Sequence, residues 1–387
     1  MADPHVLVLN ALFLDPGVSG GTETYLRGLV PALRDEMPRT RLVLATTRRG
    51  AAALRADGWG GWCEVVALPC DVGEAAARLL AEQVLLPALA LRRGADLVHG
   101  LASTGPAWTP RVRHVATVHD VTALHEGSFG RLHTAVFRAV LHGVVRDADA
   151  ALTGTAVAQR DVAAVLGLDP AALVVAHHGR VPVDPAAAAA VGGAAEPAPR
   201  IGRVVLYPAG KRPHKNQELL LRALPLLPDD VSLVLVGRAE AYDAELRRVA
   251  AAEGVTARVR FLDYVPDEEL ERLWRSADVL AFPSRAEGFG LPLVEAMERG
   301  VAIACSDIPV LREVGGDVAR YFPVDDPAAC AAALLDALTG EDRREAGRAR
   351  AAEFTWQAAA RTTVGVYRRA GARPRRLGRG GGLRRAG

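Results

Sequence analysis

Cysteine is scarce in this 387-residue chain: Cys63, Cys70, Cys305 and Cys330 are the whole set, and no two form a CxxC. No Cys/His group has zinc-ligand spacing, so neither a disulfide framework nor a zinc site is expected, only reduced, packed thiols. Long apolar runs are also missing. The longest, around Val84-Leu85-Leu86-Pro87-Ala88-Leu89, falls far short of a membrane span. The opening MADPHVLVLN has no basic n-region and no cleavage site, so no export leader is expected. Charge of one sign is lacking too, with 47 Lys plus Arg against 45 Asp plus Glu. That balance hides an asymmetry: the last twenty residues, RRAGARPRRLGRGGGLRRAG, hold eight arginines and no acid, which leaves 39 basic against 45 acidic residues in the rest. A mildly acidic body argues against nucleic acid as a partner. A cytoplasmic protein is expected.

What is present is a rhythm. Short apolar runs at 5–10, 41–46, 96–99, 113–118 and 149–153 alternate with helical patterns at 22–36, 74–92, 129–146 and 156–167. Such alternation predicts a parallel sheet covered on both faces. The stretch RVPVDPAAAAAVGGAAEPAPRIG breaks it and reads as a linker. The rhythm restarts with strands at 203–208, 231–236, 258–262, 278–282 and 301–305, and helices at 216–225, 241–253, 267–275, 291–299 and 327–338. A last helix is expected near 355–369. The organisation is thus an α/β domain at 1–180, a linker at 181–202, a second α/β domain at 203–354, a closing helix at 355–370 and a basic tail at 371–387 that lacks the apolar content to order itself. Two doubly wound domains leave a cleft, and ligands of such sheets bind beyond the carboxyl ends of strands.

The loops after strands therefore carry the functional reading. After the first strand, Gly20-Gly21 precedes a helix whose free N–H groups suit a phosphate or a sugar hydroxyl; a tight turn needing glycine for geometry alone is the alternative. The turn does not match G-x-G-x-x-G, so a nicotinamide fingerprint is absent there. His119-Asp120 ends the strand at 113–118, and His119 could donate a hydrogen bond to a substrate oxygen or simply bond the backbone. His177 and His178 point opposite ways from a strand and read as structural. In the second domain, Lys211, Arg212 and Lys215 crowd the loop before a helix. Cations are disfavoured at a helix N-terminus unless an anion reverses the local sign. With helix N–H groups they could neutralise a diphosphate; a solvated basic loop is the alternative.

The stretch SRAEGFGLPLVEAMERG, 284–300, surrounds a glycine-rich turn with two acids, Glu287 and Glu295. Pro292 suits a first helical turn, and the N–H groups of Phe289, Gly290 and Leu291 would form a second anion cradle. Ionised carboxylates only accept hydrogen bonds, so they suit hydroxyl-rich partners. Phosphates in the middle with polyols at both ends is the shape of a nucleotide sugar.

Together these stretches resemble the retaining GT-B glycosyltransferases of family 4. Glu287 and Glu295 match its E-x7-E motif, and EGFGLPLVEAM is close to the family's form. Ser19-Gly20-Gly21-Thr22-Glu23 looks like its first-loop glycine motif, Val118-His119-Asp120 like its histidine segment, and Thr153-Gly154-Thr155 with Leu168-Asp169-Pro170 like its interdomain region. The likeness runs from about residue 5 to 370. One departure stands out: Gly210 occupies the place where members often carry an arginine five residues before the lysine, so Lys211 or Arg212 would supply the second cation.

The resemblance implies a GT-B fold, two Rossmann-like domains facing across a cleft, with the nucleotide sugar on the second domain and the acceptor on the first. It implies Glu287 at donor-sugar hydroxyls, Gly288 to Leu291 at the phosphates or sugar, and Glu295 at the ribose. Lys215, with Lys211 or Arg212, would meet the diphosphate. Tyr264 and Val265 would hold the base through backbone groups. His119 would lie near the reacting sugar, and Gly20-Gly21 near phosphates or acceptor. It implies retention of anomeric configuration, with the leaving phosphate helping to remove the acceptor proton, and no metal or other cofactor. The expected partners are a nucleotide-sugar donor and a sugar, lipid-linked or small-molecule acceptor. The arginine tail adds the option of peripheral contact with anionic lipid on the inner face of the membrane. Competing readings are a two-lobed binding protein without chemistry, a nucleotide-sugar epimerase, and a phosphorylase, for which no pyridoxal lysine context is found.

Overall fold

The computed structural model describes residues 3–73, 75–109, 111–124, 131–180, 202–238 and 241–372. Most of the expected linker and tail therefore lies outside the described residues. The chain divides into two compact units: unit 1 takes the residues up to Gly179 and again from Thr355, and unit 2 is Arg180–Phe354.

Unit 1 is built on strands β1 (Val6–Ala11), β2 (Arg41–Thr46), β3 (Glu64–Ala67), β4 (Leu97–Gly100), β5 (Arg113–Thr117), β6 (Ala150–Thr153) and β7 (Leu173–Val175). They form one sheet in the order β3-β2-β1-β4-β5-β6-β7, parallel throughout. Strand side chains alternate between faces, and here both faces are covered. Leu7, Leu9, Leu42 and Leu44 enter one core, while Val8, Val43 and Ala45 enter another on the opposite face. This is why these strands read as unbroken apolar runs rather than as alternating ones. The first core also takes Trp356 and Tyr367 from the helix Trp356–Ala372. The Trp356 indole lies so close to Gly28 that a Cβ there would stand 2.0 Å from it, and a Cβ on Gly179 would stand 2.3 Å from the Trp356 backbone nitrogen.

Unit 2 repeats the plan with β8 (Arg203–Pro208), β9 (Val231–Val236), β10 (Val259–Leu262), β11 (Val279–Phe282), β12 (Ala302–Ser306) and β13 (Arg320–Phe322). Their order is β10-β9-β8-β11-β12-β13, again all parallel. In each sheet the winding reverses, between β1 and β4 and between β8 and β11, and such reversals open a crevice beyond the carboxyl ends of the strands.

Two strands and three helices go beyond the sequence reading: β3, β13, and the helices Arg48–Ala56, Pro309–Gly315 and Arg344–Ala351; the strand read before His177 is β7. The expected helix over 74–92 is divided by a π-helical stretch, Ala81–Leu85, between Ala75–Leu80 and Leu86–Arg92. No helix among the described residues is long and apolar enough to cross a membrane.

Candidate active site

In unit 2 two loops meet at the winding reversal. The one after β8 folds into a single 3-10 turn, Pro213–Lys215, followed by Asn216 in the left-handed region at φ 59°. Asn216 is fixed there because its side-chain amide donates to Pro283 O at 3.1 Å and Val324 O at 2.8 Å. The loop after β11 is joined to it by Arg285 N donating to His214 O at 2.8 Å. Across this junction the Lys215 ammonium donates to Glu287 Oε1 at 2.5 Å and lies 5.6 Å from the centre of the Phe282 ring. The sequence reading balanced Lys215 with an incoming anion; in the structure its partner is the first acid of the E-x7-E spacing.

Lys211 has a different fate. It is 1% exposed, donates to Leu262 O at 2.8 Å and pairs with Asp243 at 2.7 Å. Its head is enclosed and cannot reach a phosphate without breaking both contacts. Arg212, the other candidate for the second cation, is exposed.

Behind Glu287 the chain turns through buried Gly288, Phe289 and Gly290 into the helix Leu291–Arg299, with Pro292 in its first turn. Phe289 anchors the turn edge-on against Phe354, ring centres 5.7 Å apart. Gly290 caps the helix at φ 94°, a conformation that other residues resist. Glu295 is half-buried one turn further on, and burial pushes its carboxyl above the usual range, against the pull of Arg299. Tyr264 stands exposed beyond β10, while Val265 packs on the core.

In unit 1 the first glycine loop is braced from within. The Ser19 hydroxyl donates to Phe13 O at 2.9 Å and accepts from Asp15 N at 2.8 Å; Glu23 accepts from Gly17 N at 3.0 Å and from Arg27. Gly20, at φ 55° and with nothing within 4 Å of a would-be Cβ, opens the helix Gly21–Glu36.

His119 is gripped by the loop after β4. Its backbone N–H donates to the Ser103 hydroxyl at 3.1 Å, and its Nε2 donates to Leu101 O at 2.8 Å. Ser103 itself sits at φ 55°. Burial lowers the His119 pKa, so the ring is neutral near pH 7, and Nδ1 is left as an acceptor with no hydrogen-bond partner among the described residues. Of the two readings of His119, the bond to backbone is the one seen here, and it leaves the ring's other nitrogen as an acceptor. Around it stand Tyr25, edge-on at 4.7 Å, and His178 at 5.2 Å, with Trp356 stacked on His178 at 6.1 Å. A hydrogen-bonded chain runs behind them: Tyr367 Oη to His99 Nδ1 at 2.6 Å, His99 Nε2 to Thr117 Oγ1 at 2.8 Å, and Thr117 to Tyr25 Oη at 3.1 Å. Sequence reasoning passed over Ser103 and Tyr367, and met Tyr25 only as the end of the first-loop glycine motif. The signal for Ser103 was positional only: it lies in the loop after β4, beside the reversal, but carries no charge.

Two family models match the chain in tandem: Glycosyltransferase Family 4 over residues 19–182, and Glycosyl transferases group 1 over residues 195–354. The phosphatidyl-myo-inositol mannosyltransferase of Mycobacterium tuberculosis (strain ATCC 25618 / H37Rv) is 31% identical over 288 residues, 70% of this chain and 73% of that protein. The O-antigen chain mannosyltransferase B of Escherichia coli is 35% identical over 42% of this chain, and the phosphatidyl-myo-inositol mannosyltransferase of Mycolicibacterium smegmatis 38% over 44%. The chain spans 45% and 46% of the lengths of these two relatives. Among solved structures, sucrose-phosphate synthase from Thermosynechococcus elongatus superposes at a TM-score of 0.73, with 20% identity over 94% of this chain and 98% of that one. Anabaena HepE in complex with UDP and glucose superposes at 0.70, with 19% identity over 94% and 99%. The chain belongs to the group 1 glycosyltransferases of family 4, and its two sheets are the Rossmann-like domains of the GT-B fold.

Proposed function

We propose that this chain is a retaining, metal-independent hexosyltransferase. It moves a hexose from a UDP- or GDP-linked donor to a hydroxyl acceptor, in the synthesis of a cell-surface polysaccharide, glycolipid or glycoconjugate. The observation that carries the reading is the Lys215–Glu287 pair at the carboxyl ends of β8 and β11. The two side chains neutralise each other in the unliganded chain, and a nucleotide sugar has a use for both. Its phosphate oxygens compete for the Lys215 ammonium, and Glu287, released, accepts hydrogen bonds from the sugar hydroxyls.

Arg212 is assigned the second cation, because it is exposed where Lys211 is enclosed. The first N–H groups of the helix Leu291–Arg299, with the turn at Gly288, Phe289 and Gly290, add positive potential where the diphosphate develops charge. Glu295 takes the ribose hydroxyls, and the backbone of Tyr264 and Val265 takes the base. In unit 1, His119 Nδ1 accepts from a substrate hydroxyl, and the Gly20-Gly21 turn offers N–H groups to a phosphate or the acceptor. The bond from the anomeric carbon to the phosphate oxygen breaks as the acceptor oxygen attacks the same face; the acceptor proton passes to the departing phosphate. No protein nucleophile is required. The arginines of the 371–387 tail are proposed to touch anionic lipid.

The test is a screen of UDP-, GDP- and dTDP-linked hexoses, mannosyl donors included because relatives of this chain are mannosyltransferases. The true donor raises the melting temperature and is converted to nucleoside diphosphate when an acceptor is supplied. Lys215→Ala and Glu287→Ala, verified as folded by circular dichroism, are expected to lose about 10²–10³-fold in kcat/KM. Undiminished turnover by either folded variant overturns the assignment.

A further inference from the structure

Unit 2 carries a cleft of about 540 Å³ at the amino ends of β11 and β12, the pole opposite the Lys215–Glu287 pair. Three helices wall it. Arg275 comes from the helix Asp267–Ser276, Arg299 from the helix Leu291–Arg299, and Arg344 from the helix Arg344–Ala351. Trp274 lies beneath, fully buried, with the Arg299 guanidinium 5.4 Å from its ring centre. The volume is that of a small-molecule site.

Arginines outnumber acids at this cleft, and both of its acids are engaged. Glu271 is buried and accepts from Arg299 Nε at 2.9 Å, with Arg299 Nη2 at 2.8 Å. Asp278 accepts from Val204 N at 2.8 Å, which braces the start of β8. Arg275 approaches Glu271 only to 3.7 Å, and Arg344 approaches the exposed Asp342 only to 3.7 Å.

A fourth arginine stands at the rim. Gly300 ends its helix at φ 66° without a side chain, and the Arg348 guanidinium lies over that bare backbone, 2.2 Å from where a Cβ would stand. Arg348 has no hydrogen bond or ion pair among the described residues. Arg344 and Arg348 are one turn apart on one helix face, a like-charge pair that costs stability unless something negative sits between them. A helix C-terminus attracts a cation. Two helices end at this cleft, so their poles account for two arginines and leave two. Phosphate oxygens match the arginine fork, and the remaining acceptor capacity of Glu271 and Asp278 matches hydroxyls.

We propose that this cleft binds a small sugar phosphate, with the phosphate on Arg344 and Arg348 and the hydroxyls toward Glu271 and Asp278, and that the occupant weakens nucleotide binding through Arg299. Arg299 Nη1 donates to Glu295 O at 3.2 Å, and its charge favours the ionised Glu295 carboxyl. An anion in the cleft screens that charge, so Glu295 accepts less readily from a ribose. The effector role rests on the transfer reading; the site itself does not.

The test is isothermal titration of the full chain with glucose 6-phosphate, inorganic phosphate and glucose. Glucose 6-phosphate is expected to bind with a Kd of about 1 mM or tighter, inorganic phosphate about tenfold more weakly, and glucose not at all. Arg344→Gln with Arg348→Gln, at exposed positions and with an unchanged melting temperature, is expected to weaken glucose 6-phosphate at least about tenfold. Arg348→Gln alone is expected to weaken it in part, and Lys215→Ala to leave it unchanged. The site is overturned if the full chain ignores glucose 6-phosphate, or if the arginine variants bind it as tightly as the parent. It is equally overturned if Lys215→Ala abolishes the binding, which puts the probe on the loop after β8. UDP and GDP are then titrated with and without saturating glucose 6-phosphate. The nucleotide that binds is expected to lose about fivefold in affinity in the parent and none in the double arginine variant. Unchanged affinity in the parent overturns the effector role. If neither nucleotide binds, the transfer reading fails and the effector role with it, while the glucose 6-phosphate titrations still decide the site.

Discussion

Lys211 and Lys215 lie four residues apart in one loop, yet one is sealed in and the other stands at the surface junction with Glu287. The difference sets a prediction. Asp243→Ala leaves the Lys211 ammonium buried with only Leu262 O as partner, and is expected to cost about 3–5 kcal/mol of stability. Lys211→Met removes the charge itself and leaves Asp243 its bond to Arg247, so it is expected to cost clearly less. Urea midpoints of the two variants check the order. That cations crowd this loop was legible in the sequence. Which cation faces outward was not, because Asp243 and Leu262 come from distant segments and nothing local marks their approach. The same holds at His119, whose tautomer is set by Leu101 O.

At the scale of elements, the turn at 287–291 works by conformation as much as by charge. Gly290 holds φ at 94°, and a Cβ there would stand 2.8 Å from Leu311 Cδ2. Gly290→Ala is expected to destabilise unit 2 by about 1–3 kcal/mol, read as a lowered melting temperature, since strain and a displaced leucine act together. The long elements could be read from their periodicity. Strands β3 and β13 could not: each is an edge strand of three or four residues, too short to show a pattern. The π-helical stretch Ala81–Leu85 also leaves no trace in hydrophobic spacing. Its register is set by Glu82 and Gln83 reaching the loop after β4.

The whole molecule carries an acid liability concentrated in unit 1. Burial holds the His99 pKa down to about 3 and that of His114 to about 4, against an ordinary 6.5. Both groups fold neutral, so below pH 6.5 the unfolded chain binds protons that the native chain refuses. Stability is therefore complete above pH 6.5 and falls as pH drops toward 4, by several kcal/mol in total on the order given by such shifts. Calorimetry from pH 7.5 to 4.5 is expected to show unit 1 melting progressively earlier, and His114→Phe is expected to make that decline shallower. The repeated α/β rhythm made the two-sheet plan legible, whereas the histidines gave no sign of enclosure, since strand residues of any kind can face inward. The helix Trp356–Ala372 has a consequence for synthesis. Tyr367 completes the His99 network, and Trp356 fills the hollow over Gly28. A ribosome adding about 5–20 residues per second exposes the first half of unit 1 roughly ten to forty seconds before those side chains emerge. During that interval the nascent sheet of unit 1 waits with one layer open, while the whole of unit 2 has already been made.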